Sequence, residues 1–343
     1  MKILNIILLS LIIGIPVFTA ILCSGFPHYN TYPEIMMDAS DTSTTIAAIE
    51  FPFKDDIVQG DVTLSLAPYN GTKYGNANKA SLFGGFDDNA WKEDYYLAIT
   101  EDPAQEQMYS ALLAFFDEYA AEHDLTSDEY VELLTTYVQD IPYKTADLTT
   151  KFPIETVIEN WGDCDDKSVL LAGLLSEKGY DTGVIYFDQD NHMTAAIKGS
   201  ADTAYGNTGY TIIETTRYAY IGEEPELILN QTSGNYSFFT VGEGTKSYMA
   251  SYQIETILDT RNEAYITAQT IYDEMSALLS EIEREEILLK ESWSEPLYLE
   301  YKENLKIYNA GVTTRNEYIG LISTINSGSN NREKIYEIVI STR

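Results

Sequence analysis

The sequence predicts an α+β protein, and three observations carry that reading. Helix-patterned segments over roughly 102–178 are followed by three strand-like runs, Gly183–Phe187, Met193–Lys198 and Tyr210–Thr216. The helix that begins at Cys164 is apolar through Val169, Leu170, Leu171, Ala172, Leu174 and Leu175, as a helix packed on an antiparallel sheet should be. From about Ser251 the apolar positions recur every seven residues, which is the mark of long paired helices.

Residues 1–25 form a segment of their own. Ile3 to Leu22 is mostly apolar behind a single Lys2, and its 20 residues just span a bilayer core. The following flank is acidic (Glu34, Asp38, Asp41), so the positive-inside rule places the N-terminus in the cytoplasm and the remainder outside. A retained signal anchor is preferred, because the run is longer than a typical signal-peptide core. Cleavage near Ser24 and Gly25 is the second reading, giving a secreted protein, and lipidation at Cys23 the third, disfavoured by the bulky Leu22. All three put the rest of the chain outside the cytoplasm. Asn-X-Ser/Thr triplets begin at Asn70, Asn230 and Asn235 and permit glycosylation.

Residues 26–100 read as a tether and a β-rich lead-in. Residues 26–45 are polar, and from Ile46 to about Thr100 the pattern is strand-like. Val62, Leu64 and Leu66 alternate with polar neighbours, and Tyr95 to Ile99 is apolar enough for a buried strand. The Gly/Asn-rich stretch from Asn70 to Gly85 reads as a long loop.

Residues 101–250 carry the chemistry. Asp102-Pro103-Ala104-Gln105 is a helix start, with an Asp cap and Pro at the first helical position. That helix presents Met108, Leu112, Phe115, Phe116 and Tyr119, and Thr126-Ser127-Asp128-Glu129 starts a second with Tyr130, Leu133, Leu134, Tyr137 and Val138. These stripes are core rather than ligand box. A short helix over Pro153–Asn160 precedes the Cys164 helix.

Residues 251–343 read as a helical hairpin or coiled-coil arm with a tail. Ile257, Ala264, Ile271 and Leu278 form one row, and Ala268, Met275 and Ile282 a second that Arg261 breaks. Ser294-Glu295-Pro296 restarts a helix toward Ile325, with Gly311 a candidate kink. The arm is either plain packing or a surface for an oligomer or partner. The tail run Ile335–Ile340 is strand-like.

Charge excludes one class of partner. Lys+Arg 21 against Asp+Glu 54 gives a net charge of −33, which opposes nucleic-acid binding because phosphate contacts need a basic surface. With two cysteines, one of them in the N-terminal run, no structural disulfide is expected. His28, His123 and His192 lack metal-site spacing, so neither a metal nor another cofactor is expected.

Cys164 is the candidate nucleophile. A cysteine at a helix N-terminus meets free N–H groups and the positive end of the helix dipole, both of which favour a thiolate. Asp163, Asp165 and Asp166 oppose this by like-charge repulsion, so a histidine must compensate. Their cluster is also a minor candidate for Ca²⁺, though without EF-hand spacing. His192 and Glu214 follow on strand-like runs, which completes a cysteine, histidine, carboxylate order.

Five pieces in order carry a resemblance. They are Tyr137-Val138-Gln139-Asp140-Ile141-Pro142-Tyr143, Phe152-Pro153-Ile154-Glu155-Thr156, Gly162-Asp163-Cys164-Asp165-Asp166-Lys167-Ser168, His192-Met193-Thr194-Ala195-Ala196-Ile197 and Tyr210-Thr211-Ile212-Ile213-Glu214-Thr215-Thr216. This stretch, about a quarter of the chain, resembles the transglutaminase-like superfamily of cysteine peptidases, amidases and acyltransferases. The resemblance implies a papain-like core and an acyl-enzyme on Cys164, with His192 as general base and Glu214 orienting it. The family commonly has Asp at the third place; Asp188 or Asp190 are substitutes for Glu214. The oxyanion donors would be the Cys164 backbone N–H and the Gln139 side chain, with Trp161 as rival. The implied substrate is an amide in a peptide or envelope polymer. A catalytically silent binding or scaffold module of the cell surface stays open as the alternative.

Overall fold

A computed structural model describes residues 31–74, 77, 79–81, 90–145, 149–200, 203–225 and 236–342. The apolar segment 1–25 and the triplets at Asn230 and Asn235 lie outside the described residues, whereas Asn70 is exposed on the surface. Among the described residues no helix is long and apolar enough to cross a membrane.

The protein is α+β, with two antiparallel sheets and a C-terminal helical region. Strands β1 (Thr44–Phe53) and β2 (Asp56–Ser65) form a hairpin in which Phe53 faces Asp56 across the two-residue loop Lys54-Asp55. Lys54 turns the chain in the left-handed region, at φ 54°, as such tight hairpins require. Period-two alternation sends Ile49, Phe51, Phe53, Val58, Val62 and Leu64 inward, onto the same continuous core as the rest of the protein.

Helix α1 (Leu66–Thr72) follows at once and occupies the start of the stretch read as a loop. Helix α2 (Ala90–Thr100) overturns the strand expected at Tyr95–Ile99. A short apolar run fits a buried strand and a buried helix equally well. Here packing chooses the helix, which buries Ile99 completely and lays the Tyr96 ring 5.4 Å from that of Phe239.

A 3-10 turn (Pro103–Gln105), capped by Asp102, leads into α3 (Glu106–Glu122), and Thr126 and Glu129 form a capping box at the head of α4 (Ser127–Asp140). After α5 (Pro153–Glu159) comes α6 (Cys164–Glu177), the centre of the fold. Every residue from Asp166 to Leu175 is buried, because α2, α3, α4 and α5 flank the helix and the sheet closes its other side. Gly173 has a specific purpose: the Tyr109 hydroxyl, which donates to the Thr100 carbonyl at 3.0 Å, occupies the space a side chain there would need.

That sheet runs β5-β4-β3-β6, from β3 (Asp181–Phe187), β4 (His192–Lys198), β5 (Tyr210–Ile213) and β6 (Tyr236–Glu243), with every pair antiparallel.

The C-terminal region is α7 (Ser251–Glu291), α8 (Glu295–Ser327) and α9 (Arg332–Thr342). Helix α7, about 60 Å long at 1.5 Å per residue, packs along α8 after a three-residue turn. Its root joins the main core through Ile254 and Ile257. Arg261, the break in the apolar row, reaches out to Glu223 at 2.8 Å. Gly311 does not interrupt α8; it leaves room for the Met275 sulfur. The tail is a correction, since Ile335–Ile340 is helical within α9. Ile335 and Val339, one turn apart, both enter the core, so the helical spacing of the buried contacts prevails over the β-branched composition.

Candidate active site

Cys164 is the first residue of α6, where the backbone N–H groups have no helical partner. Asp163 is the cap, and its own N–H donates to Asp166 Oδ2 at 3.3 Å. The sulfur opens onto a cleft of about 590 Å³ walled by Trp91, Tyr95, Tyr96 and Tyr186, with Lys92 at its rim. On the sheet side it rests against the backbone that flanks His192. Sγ lies 3.9 Å from the Asn191 carbonyl oxygen, and the Met193 N–H is directed at it.

His192 opens β4 directly after the turn that follows β3, with Asn191 in the left-handed region at φ 47°. The pairing of Ala195 with Ile213 places Glu214 beside Thr194, and strand periodicity then puts Glu214 and His192 on one face. The two side chains meet there: His192 Nε2 lies 2.9 Å from Glu214 Oε2. The other carboxylate oxygen accepts from the Thr216 N–H and hydroxyl, each at 2.6 Å. Both groups are buried. Burial opposes the charge on Glu214, but the bonds from His192 and Thr216 outweigh it and hold the carboxyl below its usual range.

The surroundings of Cys164 act the other way. Burial first, then Asp165 and Asp163, push the Cys164 thiol up to about 12, against the help of the Met193 and Asp165 N–H groups. Asp163, Asp165 and Asp166 bring carboxylate oxygens within 4.8 Å of one another, the one such trio among the described residues. Burial and mutual repulsion raise Asp163 and Asp166 above the usual carboxylate range. Asp166 takes the Lys151 N–H at 2.7 Å, and Asp165 takes the Thr150 hydroxyl.

Gln139 is not placed as an oxyanion donor, contrary to the sequence expectation. Its Nε2 donates to the carbonyls of Glu214 at 2.8 Å and Ala219 at 3.0 Å, so both amide hydrogens are spent inside the fold. The ammonium groups of Lys144 and Lys151 lie over the Trp161 ring. Glu214 is the acid that meets the His192 ring, while Asp188 pairs with Lys92 at 3.5 Å. Sequence reasoning missed Thr216, which fixes the carboxylate, and Lys167 and Ser168, which lie buried one turn along α6 from Cys164. A lysine leading into an all-apolar helix run was the available signal for the last two.

No family model matches the chain, and no curated protein or solved structure matches it either.

Proposed function

We propose that the chain is a transglutaminase-like cysteine hydrolase, built on a papain-like core and tethered outside the cytoplasm by residues 1–25, that acts on amide bonds of a peptide or envelope polymer. The observation that carries the reading is the buried 2.9 Å contact of His192 with Glu214, beside a cysteine sulfur that opens onto a cleft. The motif resemblance supplies the reaction class.

The geometry supports a definite division of labour. With Nε2 engaged by Glu214, Nδ1 is the ring nitrogen left to take the thiol proton. A thiol raised to about 12 rests protonated at neutral pH, so its proton leaves as the sulfur attacks rather than beforehand. The sulfur bonds to the carbonyl carbon, the carbonyl electrons move to oxygen, and the proton passes to His192. The free Cys164 N–H faces the developing oxyanion. Collapse expels the amine, which takes the proton from His192. Water then adds to the thioester with His192 as base and releases the carboxylic acid and the free thiol. An amine in place of water would complete a transfer instead.

A second reading rests on the raised thiol, which suits a silent binding module. Alkylation separates the two. In the hydrolase, iodoacetamide modification of Cys164 at pH 7 depends on His192 taking the thiol proton, and His192→Ala slows it about 10²-fold. Equal rates in parent and His192→Ala would establish the binding module.

A further inference from the structure

One turn along α6 from the sulfur, Lys167 and Ser168 point into the protein. Lys167 is fully buried, and its Nζ donates to the carbonyls of Gln139 at 3.1 Å and Ile141 at 2.6 Å, at the end of α4. A helix C-terminus leaves carbonyls unpaired and favours a cation. The same Gln139 uses its amide to hold the Glu214 carbonyl at 2.8 Å, and Glu214 holds His192 at 2.9 Å. Three successive hydrogen-bonded links therefore lead from Lys167 to the imidazole.

Ser168 makes the shorter connection. Its hydroxyl donates to the carbonyl of Met193, next to His192, at 3.2 Å, and shares a bond with the hydroxyl of Thr215, next to Glu214, at 3.1 Å. The candidate nucleophile's own helix is thus fastened to β4, which carries His192, and to the segment just beyond β5 that carries Glu214.

Packing alone does not account for these residue types. An apolar side chain would fill either place without taking a cation or a hydroxyl out of water. Burial lowers Lys167 to about 8, against the pull of Glu214 and Asp140.

We propose that Lys167 and Ser168 are positioning residues that set Glu214 and His192 in register with the Cys164 sulfur. The inference rests on the hydrolase reading for its catalytic meaning, but its geometric content can be tested separately.

The test uses the full chain in three forms: parent, Lys167→Met and Ser168→Ala. Two quantities are read on protein that melts cooperatively. One is the alkylation rate of Cys164 from pH 5 to 10. The other is the downfield ring N–H resonance of His192, identified by its loss in His192→Ala, which reports the bond to Glu214. We expect Lys167→Met to lower the neutral-pH alkylation rate about tenfold, equivalent to about one unit in an effective pKa, and to broaden or abolish the resonance. Ser168→Ala should do the same to a smaller degree. If Lys167→Met fails to fold, Ser168→Ala decides alone. An unchanged resonance and an unchanged alkylation profile in the folded variants overturn the positioning role, even with a reactive parent cysteine. An unreactive parent cysteine together with a lost resonance in the variants overturns the hydrolase reading and leaves the positioning role standing.

Discussion

Two groups of carboxylates flank the candidate nucleophile and have opposite fates. Glu214, beyond β5, is alone, buried and satisfied at both oxygens, and it stays charged more readily than an ordinary glutamate. The aspartates at the start of α6 crowd one another, and Asp163 and Asp166 hold their protons more tightly than usual. Burial opposes charge in both places. The difference lies in whether each oxygen meets a donor or another carboxylate, so partner supply, more than depth, decides what an acid can do.

Removing the satisfied acid should have the largest effect. Glu214→Gln keeps the shape and deletes the charge that orients His192, and the reactivity of Cys164 should fall about 10²–10⁴-fold. Alkylation kinetics at pH 7 measure it. A loss of less than threefold would make the histidine self-sufficient.

Relieving the crowded group should act in the opposite direction. Asp165 is the leading charged cause of the raised thiol. Asp165→Asn should therefore lower the midpoint of the alkylation profile by about one unit and raise the neutral-pH rate up to about tenfold.

The smallest effect concerns stability. Asp163 and Asp166 bind protons more tightly when folded than when unfolded. Between about pH 4, the unfolded value, and their raised folded values the native state carries the extra protons, so their contribution to stability falls as pH rises. Asp163→Asn should then melt about 2–4 °C above the parent near pH 8, and the gap should close toward pH 5 in a thermal-melt series. Glu214 has the other sign. Its contribution is present above its unfolded value and disappears on acidification through its lowered folded value.

Much of the fold was legible because it is written in neighbouring residues. The capping pattern from Thr126 to Glu129 places the start of α4, the run from Val169 to Leu175 predicts an enclosed helix, heptad spacing foretells α7, and the Ser294-Glu295-Pro296 start foretells α8. Tyr95–Ile99 and Ile335–Ile340 defeated the reading, since short apolar runs do not contain their own period and tertiary packing assigned both to helices. At the site, the order Cys164, His192, Glu214 was readable, and His192 with Glu214 do meet. The task of Gln139 was not readable, because an amide serves an oxyanion or two backbone carbonyls with equal competence until the carbonyls are in place.

The sequence alone determined the capped helix starts, the enclosed run of α6, that the charge is strongly negative, and which residue types are capable of the chemistry. Those properties depend on residues a few positions apart, within reach of helix and strand geometry. Only the tertiary structure decided that Glu214 rather than Asp188 meets the imidazole, that Gln139 braces a strand end, that Lys167 lies fully buried, and that the aspartates crowd the thiol. Each of these is set by groups brought together from different elements, whose separation depends on how the whole core packs.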